Sequence, residues 1–150
     1  MSETEQINQI LYKAMKMEKY GQNFFSLLEE LADDEESQLL FKRLAVEEEN
    51  HFKLFLTELK NNGGEYTENK DFDPDSVFNK DVALVIREGP ISVLKYAIQV
   101  EQRVIDFYRE SIDAVFNDHV KQFLSNLIET EETHKRILGA NLVRFQAASY

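Results

Sequence analysis

The sequence contains no cysteine and no tryptophan, and only two of its 150 residues are proline and five are glycine. The absence of cysteine excludes disulfide bonds, thiolate nucleophiles, iron–sulfur clusters and cysteine-liganded zinc sites. No stretch approaches the ~18 apolar residues of a membrane-spanning helix, and the polar segment MSETEQINQ at the start has no signal-peptide core. We therefore expect a cytoplasmic protein that makes no contact with a membrane.

Basic residues are also scarce, because 17 lysines and arginines stand against 28 aspartates and glutamates, for a net charge of −11. This acidity argues against nucleic acid and anionic membrane surfaces as partners. Hydrophobic residues make up 43% of the chain and charged residues 30%, which is ordinary for a globular helical protein. The length suits a single domain, residues 1–150, with a core of its own.

Proline and glycine are concentrated in the middle of the chain, where both prolines and three of the five glycines lie between residues 63 and 90. Elsewhere apolar residues recur every three or four positions, which is the spacing of amphipathic helices. This pattern predicts four long helices, at about 3–32, 35–61, 91–115 and 118–146. A short additional helix is predicted within DSVFNKDVALVIRE, residues 75–88.

Capping signals lie at the predicted helix ends. Asp33–Asp34 and Asn117–Asp118 offer N-caps for the second and fourth helices, Gly63–Gly64 ends the second, and Gly89–Pro90 opens the third. Two connections are therefore short and predict antiparallel helix pairs. The connection at 62–90 is long enough to run the length of a bundle. We expect an all-α four-helix bundle with one long crossover between the second and third helices.

The chain also contains an internal repeat with an offset of 83 residues. Ionisable residues interrupt each apolar stripe, and they correspond between the two halves: Glu18 with Glu101, Glu48 with Glu131, and His51 with His134. The flanking segment KAMKMEKYGQNFF, residues 13–25, aligns at the same offset with YAIQVEQRVIDFY, residues 96–108. The sequence therefore predicts two copies of one helical hairpin.

The repeated ionisable residues predict a metal site. The four glutamates lie about 15 residues from the turns near 33 and 116, so antiparallel helices would bring them and both histidines to one level, mid-bundle. Four buried carboxylates would repel one another unless they took up protons, with raised pKa values, or bound cations, and no lysine or arginine lies in the inner stripe. Two divalent cations would balance four carboxylates and two neutral imidazoles. Oxygen and nitrogen ligands without sulfur suit iron or manganese, with zinc as an alternative.

The number of agreeing features matters, because a single Glu-x-x-His is a weak signal in so acidic a chain. An all-α bundle whose polar core holds no metal is the alternative. Two Glu-x-x-His motifs, two further glutamates and one shared offset favour the metal site. The repeat also fixes the register: Glu47 corresponds to Thr130, whereas Glu48 corresponds to a second glutamate.

One glutamate from each of two helices, with Glu-x-x-His from each of the other two, resembles the ferritin-like di-iron carboxylate proteins. The size, crossover and repeat are most similar to the rubrerythrin branch. The resemblance implies two iron ions, with Glu48 and Glu131 as bridging ligands. It implies terminal ligation by Glu18 and Glu101, and one metal each for His51 and His134. It further implies that Tyr108, two turns after Glu101, hydrogen-bonds a ligand carboxylate, although an ordinary core aromatic would fit the same position.

The resemblance also implies an oxidoreductase that reacts with hydrogen peroxide or dioxygen, by peroxide reduction or ferroxidase-like oxidation. The alternatives are a ferritin-like iron storage protein and a zinc-holding bundle without redox activity. Peroxide-reducing members usually carry a further glutamate where this chain has Val104, and also a cysteine-rich rubredoxin domain. Electrons would therefore come from a separate donor such as a rubredoxin-like protein.

The expected assembly is a homodimer, because few residues follow the fourth predicted helix to form a further assembly helix. Phe24, Leu27 and Phe107 lie off the inner stripes and are candidates for exposed apolar surface at such an interface. His119 lies 15 residues before His134, about 22 Å along one helix, so we expect it at the surface and outside the site.

Overall fold

The computed structural model describes residues 1–67 and 82–148, and within them it contains helices and no β-strand. The helices are α1 (Glu3–Leu31), α2 (Glu35–Asn61), α3 (Val82–Glu88), α4 (Pro90–Ala114) and α5 (Asp118–Ala148). The all-α class and the four long helices are thus confirmed. Val82–Glu88 confirms part of the short helix, whereas residues 75–81 of that prediction lie outside the described residues. No helix in the described ranges is both long and apolar enough to cross a membrane.

The chain divides into two compact units, one containing α1 and α2 and the other containing α3, α4 and α5. Each unit is built on a helical hairpin. In the first, the side chain of Asp34 caps α2 by accepting a hydrogen bond from the Ser37 N–H at 3.0 Å. This bond satisfies one of the amides that the first turn of a helix leaves without a helical partner. The predicted N-cap is confirmed, and it sets the short connection between α1 and α2.

Helix α2 ends at the predicted glycine pair. Gly63 has φ of 77°, in the left-handed region that a glycine adopts without steric cost. Its N–H donates to the Lys60 carbonyl at 3.0 Å, and the Gly64 N–H donates to the Leu59 carbonyl at 2.8 Å. These two bonds form a Schellman motif, which satisfies the last carbonyls of the helix and turns the chain away.

The second unit begins and turns at the other predicted signals. Gly89 has φ of 108°, and Pro90 is the first residue of α4, where its missing N–H has no helical acceptor to lose. The Asn117 side chain accepts a hydrogen bond from the Val120 N–H at 3.0 Å and caps α5. Helix α5 continues to Ala148, two residues past the predicted end, because neither glycine nor proline stops it there.

The buried face of the helices is wider than the predicted stripes. Phe24, which we expected at an exposed interface, is only 5% exposed, and its ring centroid lies 5.3 Å from that of Phe25 and 6.1 Å from that of Tyr20. That prediction was wrong, because a core-facing helix buries a face broader than one line of residues. Leu27 is 39% exposed, as expected. His119 is exposed in the first turn of α5, also as expected.

Candidate metal centre

The first hairpin brings three of the predicted ligands together. Helix α1 supplies Glu18, and α2 supplies Glu48 and His51, whose i, i+3 spacing directs both side chains to one face. The Nδ1 atom of His51 lies 3.4 Å from Oε2 of Glu18 and 3.8 Å from Oε2 of Glu48. All three residues are at most 6% exposed, and each offers a ligand atom within 4.8 Å of those of the other two.

The second hairpin repeats this arrangement with the residues 83 positions later. Helix α4 supplies Glu101, and α5 supplies Glu131 and His134. The Nδ1 atom of His134 lies 3.5 Å from Oε2 of Glu101 and 3.4 Å from Oε2 of Glu131. None of the three is more than 1% exposed. The internal repeat seen in the sequence therefore places the same three ligand types together in each unit.

The donor sets fit a metal ion better than an ion pair. A hydrogen bond between an N–H group and a carboxylate spans about 2.7–3.2 Å, whereas three of the four histidine Nδ1 to glutamate Oε2 separations are 3.4–3.5 Å and the fourth is 3.8 Å. Ligand atoms that each lie about 2.0–2.2 Å from one shared ion are themselves roughly 3.0–3.5 Å apart. Two carboxylates and a neutral imidazole also carry the charge that balances one divalent cation. In the described ranges no lysine or arginine is buried to neutralise them instead.

Two further residues of α4 lie on the same face as Glu101. Val104 follows it by one turn and is 5% exposed, and Tyr108 follows by two turns and is fully buried. The burial of Tyr108 suits both of the roles considered for it, a core aromatic and a hydrogen-bond donor to a ligand carboxylate. The second role stays a prediction.

Gly21 is a site residue that the sequence did not reveal, although it belongs to the apolar stripe of α1. A Cβ atom built on it would lie 3.4 Å from Cγ and Cδ of Glu48 and 3.5 Å from its Oε2. The backbone of α1 therefore borders the Glu48 carboxylate directly. The available signal was a glycine in the interior of a 29-residue helix, three residues after Glu18.

Comparison with solved structures identifies the fold. A ferritin-like, diiron-carboxylate protein from Bacillus anthracis aligns with a TM-score of 0.74 and 19% identity, over 95% of this chain and 99% of that one. The bacterioferritin of Rhodobacter capsulatus, whose structure has a metal-free dinuclear site and heme iron, aligns with a TM-score of 0.79 and 20% identity, over 95% of this chain and 87% of that one. A dodecameric thioferritin, the bacterioferritin-related protein of Bacteroides fragilis, aligns with a TM-score of 0.76 and 18% identity, over 99% of this chain and 90% of that one. These similarities confirm the predicted ferritin-like helical fold, whereas residues 68–81 of the predicted long crossover lie outside the described residues.

Sequence comparison identifies the family. No curated protein sequence matches this one significantly. The Rubrerythrin family model matches residues 9–142, a span that includes all six candidate ligands. Because that match covers most of the chain, the protein belongs to the Rubrerythrin family.

Proposed function

We propose that the six ligand residues of the two hairpins together bind a pair of iron ions. The observation that carries this proposal is the buried Glu, Glu and His set found in both hairpins with matching separations. Membership of the Rubrerythrin family supports iron over manganese or zinc, and so does the similarity to proteins described as diiron-carboxylate proteins. In this proposal Glu48 and Glu131 would be the ligands shared by both metals, and the other four residues would each hold one metal.

The proposed reaction is the reduction of hydrogen peroxide or dioxygen. Iron held by these residues would supply the two electrons that, with two protons, reduce one hydrogen peroxide molecule to two water molecules. The protein's own contribution is to hold four carboxylates and two imidazoles in place and to exclude bulk water from them. The Tyr108 hydroxyl would keep a ligand carboxylate oriented by donating a hydrogen bond to it. Electrons would return from a separate donor, such as a rubredoxin-like protein.

Metal content and turnover test this function on a matched pair of variants. Glu131 is fully buried beside His134, whereas its neighbour Glu132 contacts Arg109 at 3.0 Å with both side chains partly exposed. Protein purified without oxygen and offered ferrous iron should contain two irons per chain by plasma mass spectrometry, and it should consume peroxide. Glu131→Gln should lose iron and turnover, and Glu132→Gln should keep both. Full iron content and turnover in Glu131→Gln would reject the assignment.

Iron storage is a second candidate, favoured by the similarity to a bacterioferritin and to a dodecameric thioferritin. The mass of the protein in solution distinguishes iron storage from the proposed reduction of peroxide or dioxygen. We propose a homodimer, with a mass twice that of the 17.6 kDa chain, for the peroxide- or dioxygen-reducing protein. A twelve-subunit or larger particle that retains many irons per chain by light scattering and metal analysis would support storage instead.

A further inference from the structure

The two hairpins carry the same ligands but differ in one neighbouring position. Gly21 follows Glu18 by three residues, and Val104 follows Glu101 by three residues, so the repeat makes them equivalent. In the first hairpin this position faces the ligand carboxylate of α2, because the nearest atoms to a Cβ on Gly21 all belong to Glu48. Val104 carries a buried isopropyl group at the equivalent place.

Close packing does not explain the glycine. A methyl group on Gly21 would meet its nearest neighbours at 3.4–3.5 Å, which is ordinary van der Waals contact. Alanine would also favour the helix, since an interior glycine gives up backbone entropy on folding. The chain thus keeps a less stable residue at a position that alanine would fit. A loss of helix stability of this kind is expected where function requires a neighbouring side chain to move.

The position of the Glu48 carboxylate agrees with such freedom. Its Oε2 atom lies 3.8 Å from the imidazole nitrogen of His51, whereas Oε2 of Glu131 lies 3.4 Å from that of His134. The Glu48 carboxylate therefore lies farther from its histidine and borders the open side of Gly21. In the second hairpin, where the equivalent residue is valine, the bridging glutamate lies closer to its histidine.

We infer that Gly21 is a positioning residue, which gives the Glu48 carboxylate room to move aside and yield a coordination position to a small exogenous ligand. Val104 denies the same movement to Glu131, so that the first hairpin is where the small ligand enters. The inference rests on the proposed iron pair. The ligand class is a small anion or neutral molecule of two or three heavy atoms, such as peroxide.

Azide binding to the iron-loaded, oxidised protein tests the inference without a turnover assay. Azide affinity is read from its charge-transfer absorption with ferric iron, after plasma mass spectrometry has shown equal iron content. Gly21→Ala should weaken azide binding at least fivefold, because its methyl group would fill the space into which the Glu48 carboxylate moves, and overpacking in that displaced position corresponds to roughly 5- to 150-fold in an equilibrium constant. The iron-free variant should melt about 1–4 °C higher than wild type.

Val104→Ala is the matched variant in the second hairpin, and it should increase azide affinity, because it frees the movement that Val104 prevents in Glu131. The inference is overturned if Gly21→Ala holds full iron and binds azide within fivefold of wild type, or if Val104→Ala weakens azide as much. It is also overturned if Gly21→Ala fails to fold or melts lower, since the glycine would then serve packing. Failure of the wild-type protein to bind iron is a separate result, because it rejects the proposed function before any variant is compared.

Discussion

Glu48 and Glu49 offer a sharp test of whether the buried carboxylates exist for a metal. They are adjacent in α2, but Glu48 is 3% exposed beside His51, whereas the Glu49 side chain is 45% exposed and lies 3.6 Å from Lys53. Substitution by glutamine preserves the shape of each side chain and removes its charge. We expect Glu48→Gln to stabilise the metal-free protein and to destabilise the metal-loaded protein relative to wild type.

The magnitude follows from the charge count in the first hairpin. Glu18 and Glu48 share one imidazole, so a negative charge is in excess even when His51 is protonated. Removing the excess buried charge should raise the free energy of unfolding by about 2 kcal/mol, because an uncompensated buried charge costs roughly 3–5 kcal/mol and proton uptake relieves part of that cost. For a chain of this length that corresponds to a rise of about 4–8 °C in the melting temperature.

Bound metal should reverse this order, so that the wild-type protein is more stable than Glu48→Gln. Free Mn²⁺ at 100 times its dissociation constant stabilises the wild-type protein by about 2.7 kcal/mol for each site, and the variant has lost a ligand. Melting is followed by circular dichroism at 222 nm, because the chain contains no tryptophan for fluorescence. Glu49→Gln should follow wild type within about 1 kcal/mol in both states, since it loses only a surface ion pair. Equal stabilisation of wild type and Glu48→Gln by Mn²⁺, or a lower melting temperature for metal-free Glu48→Gln, would refute the reasoning.

Two further predictions concern a helix end and the buried tyrosine. Gly63→Ala should lower the melting temperature by about 2–4 °C, because alanine is strained at φ of 77°. Gly139→Ala should raise it slightly, because Gly139 lies in the helical backbone of α5 and, apart from that helix's own backbone and its chain neighbours, no described atom lies within 4 Å of the new methyl. Equal shifts of the two variants in thermal melts would contradict this. Tyr108→Phe should leave the iron content at two per chain but slow peroxide consumption about tenfold, because a lost hydrogen bond to a ligand costs about 10- to 100-fold. Unchanged turnover would assign Tyr108 to packing.

The helices and their ends could be predicted because local chemistry determines them. Asp34 and Asn117 cap helices through their own side chains, and Gly63 ends one through a conformation that few other residues adopt. The width of the buried face could not be predicted in the same way. Phe24 lies beside the apolar stripe, and only the packing of its ring against Phe25 and Tyr20 makes it a core residue.

The six candidate ligands could be selected from the sequence for a different reason, which is the repeat. One copy of Glu-x-x-His is weak, but the 83-residue offset selects Glu48 over Glu47, because Glu47 corresponds to Thr130. Glu49 and Glu132 correspond to each other, and only the i, i+3 spacing to His51 and His134 sets them apart from Glu48 and Glu131. The role of Gly21 could not be read in this way. Which side chain a glycine faces depends on the rotation and axial offset of α1 against α2, and those follow from the packing of the whole hairpin.

Because the two hairpins are repeats of one another, their equivalent positions can be compared residue by residue. The six candidate ligands are matched in type and spacing, so any difference in reactivity between the halves would have to arise from the residues around them. The equivalent positions Gly21 and Val104 differ in volume, and Phe25 and Tyr108 differ by one hydroxyl. In each hairpin these two positions lie one and two turns beyond the terminal glutamate, on the face that carries it. A small residue on one side and a hydroxyl on the other would let one half open to a small ligand while the other half stays fixed. A symmetric set of candidate ligands could therefore form a site that admits a small ligand in one half only.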